Sequence, residues 1–451
     1  DLVHAGRLEI LSGGFYEPLL SILPEEDAIG QIRMMNDFIR EEFGAQPRGL
    51  WLAERIWTPE LPRLLHQAGI EYTLIDDTHF YYSGLEESRI HGYYVTEKLG
   101  HPLYIFPILK SLRYAIPFKL PEETTKILRR AKDQLGFEGV TYADDGEKFG
   151  SWPETYQWVY TERWLDRFFT TLQENADWVE TMTFSEFIDT HSPTGRAYLP
   201  MASYDEMMEW SLPPEAAWQF HGLKQELADK GIPEERYKIF LRGGHWDNFL
   251  TKYEESNQLH KKMLIVSRRV NAMPEKDRRD SGALQDLYRA QCNCAQWHGL
   301  FGGLYLNYLR HALYQNLIAA ENKADRAAGR RVFVDRVDYN LDGREEIIFS
   351  NETLIAYFAP GYGGSLVELD YRPACFNVSN VLRRREEMYH KILIESAGQD
   401  ADEVEQPRSI HDRVKSKEAD LQNQLFFDRW EKFSFLDHFL GPDTTLETFK
   451  Q

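Results

Sequence analysis

The chain has 451 residues, 42% of them hydrophobic and 14% aromatic, so it is too long for one hydrophobic core and should form two or three domains. Its formal net charge of −20 argues against nucleic acid or a membrane surface as a partner and suits a neutral solute. Three cysteines are too few and too sparse for a disulfide framework. No run of about 18 apolar residues occurs, so no membrane span is predicted.

From residue 1 to about residue 203, short apolar runs alternate with amphipathic stretches. This alternation predicts an α/β domain with a parallel sheet, open or closed into a barrel, whose chemistry lies at the carboxyl ends of its strands. The expected strands are residues 8–11, 49–53, 72–75, 103–108, 139–143, 181–183 and 197–199. The expected helices are residues 28–43, 59–68, 122–134 and 154–174.

The rest of the chain divides into two further parts. Residues 204–325 carry helical patterns and form an expected helical domain, with helices at 213–230, 253–271, 283–295 and 304–320. Residues 326–451 alternate like strands between glycine and asparagine turns and form an expected β-sandwich, with strands at 332–337, 346–350, 354–358 and 365–369. The chain begins with Asp1 in mid-pattern and ends before the strand pattern of a β-sandwich is complete, so we expect a fragment truncated at both ends. The sparse cysteines favour a reducing, cytoplasmic compartment.

The segment GLWLAERIW at residues 49–57 places Glu54 at a predicted strand end between tryptophans. A guanidinium from Arg55 would lower the pKa of Glu54 and keep it ionised, as a nucleophile requires. A structural salt bridge is the alternative.

The segment ADDGEKFGSWP at residues 143–153 follows another predicted strand and crowds three acids, Asp144, Asp145 and Glu147, into four residues. Because like charges raise one another's pKa, one carboxyl group should keep its proton, as a general acid must. An acidic surface turn is the alternative. Two carboxylates framed by aromatic rings are typical of sites that cleave glycosidic bonds, with Trp51, Trp57 and Trp152 as candidates for stacking on sugar rings or for core packing.

Three other segments carry weaker signals. Glu17 follows the first predicted strand in GGFYEP, and Trp297 and His298 precede glycines that would allow close backbone approach to the barrel mouth. Oxygen-bearing side chains alternate before Gly343, so this loop is either a hairpin turn or a structural calcium site; they belong to Asp338, Asn340 and Asp342.

Long motifs in a fixed order resemble glycoside hydrolase family 57, in its 4-α-glucanotransferase and α-amylase branch. They span nearly the whole chain: GGFYEP, GLWLAERIW, ADDGEKFGSWP, RGGHWDNFLTKYEESNQLHKKML, CNCAQWHGLFGGLYL, NVLRRREEMYH and IHDRVKSKE. The resemblance implies a (β/α)7 barrel, a helical domain and a C-terminal β-sandwich. It also implies a retaining mechanism with Glu54 as nucleophile and Asp145 as general acid/base. Substrate contacts are expected from Glu17, Arg55, Trp57, Glu147, Trp152, Trp297 and His298.

Two departures from the family pattern stand out. The family's N-terminal His-Gln-Pro motif does not occur in this chain, so we expect one barrel strand and one wall of the site to lie outside it. Cys294 stands where many members carry Asp after Cys-Asn, which puts an acidic substrate contact in doubt.

The sequence therefore predicts a 4-α-glucanotransferase acting on α-glucan or maltooligosaccharides without a required cofactor, with an α-amylase as the alternative on the same site. The oligomeric state stays open, with a homodimer as one alternative. From other classes, a non-catalytic glucan-binding protein would keep the tryptophans without needing both acids. A metal-dependent barrel enzyme would need clustered ligands, whereas His91, His101 and His191 are isolated in the sequence.

Overall fold

The computed structural model describes residues 2–395 and 425–450. Of the family-like motifs, IHDRVKSKE at residues 410–418 lies outside the described residues. No helix in the described part of the chain combines the length and apolarity needed to cross a bilayer.

The N-terminal part contains a five-stranded sheet in the order β1-β2-β4-β3-β5. Its strands are β1 (Gly49–Trp51), β2 (Tyr72–Asp76), β3 (Tyr94–Lys98), β4 (His101–Ile108) and β5 (Gly195–Arg196). Strands β1, β2 and β4 are parallel, and single parallel bridges add Ser12 beside Leu50 and Thr141 beside Ile108. The carboxyl ends of these five parallel segments, at Ser12, β1, β2, β4 and Thr141, therefore lie at one edge of the sheet. The acids of the two sequence motifs follow β1 and Thr141 at this edge.

Helices cover this sheet, as the β-then-α alternation predicted. They are α1 (Glu25–Phe43), α2 (Leu61–Gln67), α3 (Asp77–Tyr81), α4 (Lys110–Ala115), α5 (Pro121–Asp133), α6 (Trp164–Glu174) and α7 (Phe184–Thr190). The predicted helix 154–174 is interrupted, because Arg163 adopts left-handed backbone geometry (φ 59°) immediately before α6.

Several predicted strands differ from the observed ones. Residues 8–11 and 139–143 contribute only the bridges at Ser12 and Thr141. Thr183 caps α7 by accepting the Glu186 amide instead of lying in a strand. The sequence pattern did not predict β3. This strand forms an antiparallel hairpin with β4, and the hairpin turns at Leu99-Gly100, where both residues have positive φ.

The middle of the chain is helical, as predicted. Its helices are α8 (Asp205–Trp210), α9 (Pro214–Asp229), α10 (Asn248–Lys252), α11 (Glu254–Asn271), α12 (Glu275–Asp280), α13 (Ala283–Arg289) and α14 (Asn307–Ala327).

The C-terminal part is antiparallel β structure. Its strands are β6 (Phe333–Val337), β7 (Glu346–Ser350), β8 (Leu354–Ala359), β9 (Ser365–Tyr371) and β10 (Phe376–Asn377), followed by helices α15 (Met388–Glu395) and α16 (Leu446–Lys450). Within the described residues these strands form one sheet, in the order β10-β9-β8-β7-β6. This sheet packs on the helical part, with Ile265 of α11 against Ile348 and Tyr357.

The loop between β6 and β7 is a self-capped hairpin turn. The Asp338 carboxylate accepts the amides of Asp342 and Gly343 at 3.0 Å each, and Asp342 in turn accepts the Arg344 amide. Asn340 also accepts from Asp342. Because turn amides engage these oxygens, a hairpin turn accounts for the spacing of Asp338, Asn340 and Asp342, and a structural calcium ion at these residues stays a prediction.

The α/β and helical parts share one core. Ala28 and Ile32 of α1 pack with Val266 of α11 and Leu287 of α13 in a single buried cluster. At Gly30 a Cβ atom would lie 1.9 Å from the Tyr288 hydroxyl oxygen, so any larger residue here would have to displace the Tyr288 ring.

A buried polar network crosses the same boundary. Asp27 accepts from Ser267 at 2.6 Å, Asn271 at 2.7 Å and Gln291 at 2.6 Å. Gln31 is bound to Gln291. Since buried polar groups are costly unless paired, this network fixes α1 against the helical part.

A second buried network joins the helical part to the C-terminal sheet. Lys262 of α11 donates to Glu368 and Asp370 of β9, and its ammonium lies 3.9 Å from Glu321 of α14. Burial opposes its charge, but these carboxylates raise the pKa of Lys262 well above its usual value. The ammonium therefore neutralises carboxylates that water cannot reach.

Replacing Lys262 by Met should lower the free energy of unfolding by about 3–5 kcal/mol, because it leaves buried carboxylates without a counter-charge. Chemical denaturation followed by tryptophan fluorescence measures the change. Lys276→Met, at an exposed position of α12, is the matched control. Equal stability of the two variants would contradict the structural role of Lys262.

Candidate active site

Glu54 lies immediately after β1 on a tight turn of unusual backbone geometry. Both Glu54 (φ 53°) and Arg55 (φ 47°) adopt positive φ, which is sterically unfavourable for residues with a Cβ atom. Neighbouring side chains hold both carbonyls: the Ser203 hydroxyl donates to Glu54 O at 2.7 Å, and His79 Nε2 lies 2.9 Å from Arg55 O. Such strain persists only where the surroundings enforce it, and it is concentrated at functional sites.

The carboxylate of Glu54 is bound by a tyrosine from the first residues of the helical part. The Tyr204 hydroxyl donates to Glu54 Oε2 at 2.8 Å. Burial raises the pKa of Glu54, while the charge of Arg55 and the hydrogen bond from Tyr204 lower it. Arg55 thus acts on Glu54 in the direction predicted, but burial outweighs it.

Arg55 itself is enclosed by neighbouring side chains. Its guanidinium is buried, donates from Nε to Asp76 Oδ2 at 3.0 Å and lies 4.4 Å from the centre of the Tyr204 ring. The guanidinium is bound to Asp76 and lies in the turn that carries Glu54, and a direct substrate contact of Arg55 stays a prediction.

Asp76, at the end of β2, binds the guanidiniums of both Arg55 and Arg113. Arg55 binds Oδ2 of this carboxylate. Arg113 of α4 binds Oδ1 at 2.9 Å and also contacts Asp144 at 3.3 Å. Burial alone would raise the pKa of Asp76, but the charges of Arg113 and Arg55 lower it well below its usual range. Asp76 was not predicted as a site residue, although its position at the end of a strand could have indicated one.

The two adjacent aspartates of the second motif have different surroundings. The Asp144 side chain is 1% exposed and binds Lys148 at 2.5 Å as well as Arg113. Asp145 is 40% exposed, with Arg113 at 3.9 Å. Asp144 is therefore committed to internal ion pairs, whereas Asp145 has a free path to solvent.

The structure brings four predicted acids together. Burial raises the pKa of Glu17, and the negative charges of Glu54, Glu147 and Asp145 raise it further. Glu17 also has positive φ (52°), and its carbonyl accepts from the Asn293 side chain at 2.6 Å. These mutual charge effects place acids from three separate segments around one space.

The predicted aromatic contacts divide into two groups. Trp152 is half-buried and stacks on Phe118 at 5.9 Å between ring centroids, so its indole remains a candidate sugar platform. Trp51 is half-buried, with the Arg55 guanidinium over its ring at 5.4 Å. Trp57 is 1% exposed, and its Nε1 donates to Leu199 O. The Trp57 ring therefore lies in the core, and its substrate contact stays a prediction.

Trp297 and His298 also lie inside the protein. Trp297 is 1% exposed and donates to the Asn293 amide oxygen at 2.8 Å. His298 lies 3.0 Å from the Gly302 carbonyl and 2.9 Å from the Tyr389 hydroxyl, so both ring nitrogens are engaged. Burial lowers the pKa of His298 and favours its neutral form. Both side chains support the loop that carries Asn293, and their substrate contacts stay predictions.

The profile of glycosyl hydrolase family 57 matches residues 1–200. Profiles of the alpha-amylase/4-alpha-glucanotransferase middle and C-terminal domains match residues 244–324 and 338–451. The three matches follow the order of the α/β, helical and β parts described above.

Curated relatives carry both activity names of that branch. The chain is 41% identical to alpha-amylase 1 of Dictyoglomus thermophilum, over 99% of this chain and 64% of that protein. It is also 41% identical to the 4-alpha-glucanotransferase of Thermococcus kodakarensis, over 100% of this chain and 66% of that protein. The chain thus spans slightly less than two thirds of the length of these relatives.

A solved structure agrees over the whole chain. The crystal structure of 4-alpha-glucanotransferase from Thermococcus litoralis matches with a TM-score of 0.85 and 38% identity, covering 100% of this chain and 64% of that one. Fold, domain order and sequence give the same answer: the chain belongs to glycosyl hydrolase family 57.

Proposed function

We propose that this chain carries the catalytic site of a retaining α-1,4-glucan enzyme, a 4-α-glucanotransferase, with Glu54 as nucleophile and Asp145 as general acid/base. The observation that carries the proposal is the contrast between two neighbouring acids. Glu54 is fixed by Tyr204 beside the Arg55 charge, whereas Asp145 is 40% exposed on the next acidic segment. A nucleophile needs a fixed position, and an acid/base needs access to leaving and entering groups.

The first half of the reaction forms a bond and breaks one. A Glu54 carboxylate oxygen attacks the anomeric carbon of a glucosyl unit while the bond from that carbon to the glycosidic oxygen breaks. Asp145 transfers its proton to the leaving oxygen. The guanidiniums of Arg55 and Arg113, both of which lower the pKa of Glu54, favour the ionised carboxylate that attacks.

The second half reverses these roles. The Asp145 carboxylate takes a proton from the acceptor hydroxyl, whose oxygen attacks the anomeric carbon as the bond to Glu54 breaks. Two inversions give net retention. A sugar acceptor gives a transferred glucan, and water gives hydrolysis.

Hydrolysis by an α-amylase is the second candidate on the same site. Relatives with the same 41% identity carry the name alpha-amylase as well as 4-alpha-glucanotransferase. The difference depends on whether sugar or water reaches the glycosyl-enzyme, since both compete for one intermediate.

Incubation of the protein with maltotriose should give a ladder of longer maltooligosaccharides, because transfer to a second sugar extends the acceptor. Chromatography of the products with pulsed amperometric detection resolves the chain lengths. Glucose and maltose as the sole products, even at high maltotriose concentration, would contradict the transferase proposal in favour of the amylase.

Replacing Glu54 by Gln should lower turnover by at least about 10³-fold, about 4 kcal/mol of transition-state stabilisation, while maltooligosaccharide binding persists. Steady-state kinetics and calorimetric titration measure the two effects. Glu41→Gln, at an exposed position of α1, is the matched control. Full activity of the Glu54 variant would refute the proposed nucleophile, and binding without turnover in the unmodified protein would favour a glucan-binding protein.

Tyr204→Phe should move the acidic limb of the kcat/KM profile to higher pH by about 0.5–1 unit. The Tyr204 hydrogen bond lowers the pKa of Glu54, so its loss raises that pKa and a higher pH is needed to ionise the nucleophile. Tyr198→Phe, which removes an exposed hydroxyl bound to Glu97, should leave the limb in place. An unshifted or lowered limb in Tyr204→Phe would contradict this control of Glu54.

A further inference from the structure

A polar cavity of about 280 Å³ lies where the α/β part meets the helical part. One side of its wall comes from α3, α4 and α5, and the other side comes from Asp205 of α8 together with Glu234 and Lys238. Neither Glu54 nor Asp145 lines it, so the cavity is distinct from the proposed catalytic cleft. Its volume is near the lower end of the range for small-molecule sites.

Most charged groups of the wall are already paired with one another. Lys110 Nζ lies 2.6 Å from Asp205 Oδ2, and the Tyr82 hydroxyl donates to Asp205 Oδ1 at 3.2 Å. Arg130 donates to both carboxylate oxygens of Glu87, at 2.8 and 2.9 Å. A wall with matched charges has no strong preference for an anion or a cation, and it presents fixed donors and acceptors to a neutral polar ligand.

Two groups of the wall have hydrogen-bonding capacity to spare. Asp77 is 5% exposed; its Oδ2 accepts the Lys110 amide at 3.1 Å, whereas its Oδ1 has no partner among the residues that the structure describes. Burial raises the pKa of this carboxyl group to about 7. The Lys238 ammonium lies over the Tyr81 ring at 3.4 Å, and an ammonium carries three N–H donors. A ligand hydroxyl, which both donates and accepts, can satisfy either group, and it would remove the cost of the unpaired buried oxygen.

We propose that this cavity binds a neutral polyhydroxyl ligand, a glucosyl unit of an α-glucan or maltooligosaccharide, at a site separate from the cleft. Sugar hydroxyls donate to carboxylates and accept from ammonium groups, while the rings of Tyr81 and Tyr82 offer the combined apolar and polar surface that suits a pyranose ring. The choice of a glucosyl unit rests on the proposed function.

The cavity is next to the catalytic turn along two segments of the chain. Asp205 follows Tyr204, whose hydroxyl donates to Glu54 Oε2, and Asp77 follows Asp76 at the end of β2. A glucan that occupied cleft and cavity together would be held at two places, and the second contact would raise the effective concentration of sugar at the first. We therefore expect the cavity to favour large glucans, which can occupy both places at once.

Protection of Lys238 from acetylation measures occupancy of the cavity. The Glu54→Gln protein, which should bind sugar without consuming it, is acetylated briefly with and without maltose, and mass spectrometry gives the modification rate of each lysine. Maltose should slow acetylation of Lys238 severalfold, while Lys276, exposed on α12, reacts at an unchanged rate. Unchanged reactivity of Lys238 at roughly 100 mM maltose, far above a millimolar dissociation constant, would overturn the proposal.

Ser111→Trp fills the cavity without removing an ion pair, because Ser111 is an exposed residue of the wall. Combined with Glu54→Gln, this change should abolish the protection of Lys238, and calorimetric titration should detect one bound maltose fewer. Ser192→Trp, exposed on the loop after α7, is the matched control and should retain both. Retained protection in the Ser111 variant would locate the protecting maltose outside the cavity and overturn the proposal.

Kinetics on the active protein test the connection to the cleft. Ser111→Trp should lower kcat/KM for glycogen severalfold and leave kcat/KM for maltotriose within about twofold of the unmodified value. An equal effect on the two substrates would overturn the connection. A protein that turns over neither substrate, yet shows maltose protection of Lys238, would count against the proposed function and support the cavity site.

Discussion

The candidate site depends on a chain of buried ion pairs that joins successive strand ends. Arg55 follows β1, Asp76 ends β2, Arg113 lies in α4 after β4, and Asp144 follows the bridge at Thr141, with Lys148 closing the series. Three cations face two carboxylates, so the series carries one excess positive charge. Buried ion pairs contribute little net stability compared with an apolar core, but removing one partner is expensive. Each member is thereby held in place by the next.

This arrangement explains how two acids with separate roles can stand side by side. The excess positive charge lowers the cost of ionising Glu54 in a buried position, and Asp144 takes up the cations that would otherwise pair with its neighbour. The unfavourable backbone at Glu54 and Arg55 is offset by Ser203 and His79, which come from distant segments. The position of the proposed nucleophile is therefore a property of the whole α/β part together with the first residues of the helical part.

The sequence predicted the order of the three parts and the segments that carry the acids, because these depend on local periodicity and on motifs. It did not predict β3, whose pairing depends on a Leu-Gly turn that carries no strong turn signal. It also could not reveal that the Trp57 and Trp297 rings are buried. Burial is decided by segments far away in sequence, such as Leu199 beside Trp57, and composition around a tryptophan cannot reveal which face is covered.

The contact of Gly30 with Tyr288 bears on how a polymer enters the site. A glycine with little room for one added carbon lies in a core common to both parts. Close packing of this kind transmits strain, so a displacement of α13 would be felt at α1. A polymer bound at the proposed site would thus meet α/β and helical surfaces that are packed together as one body.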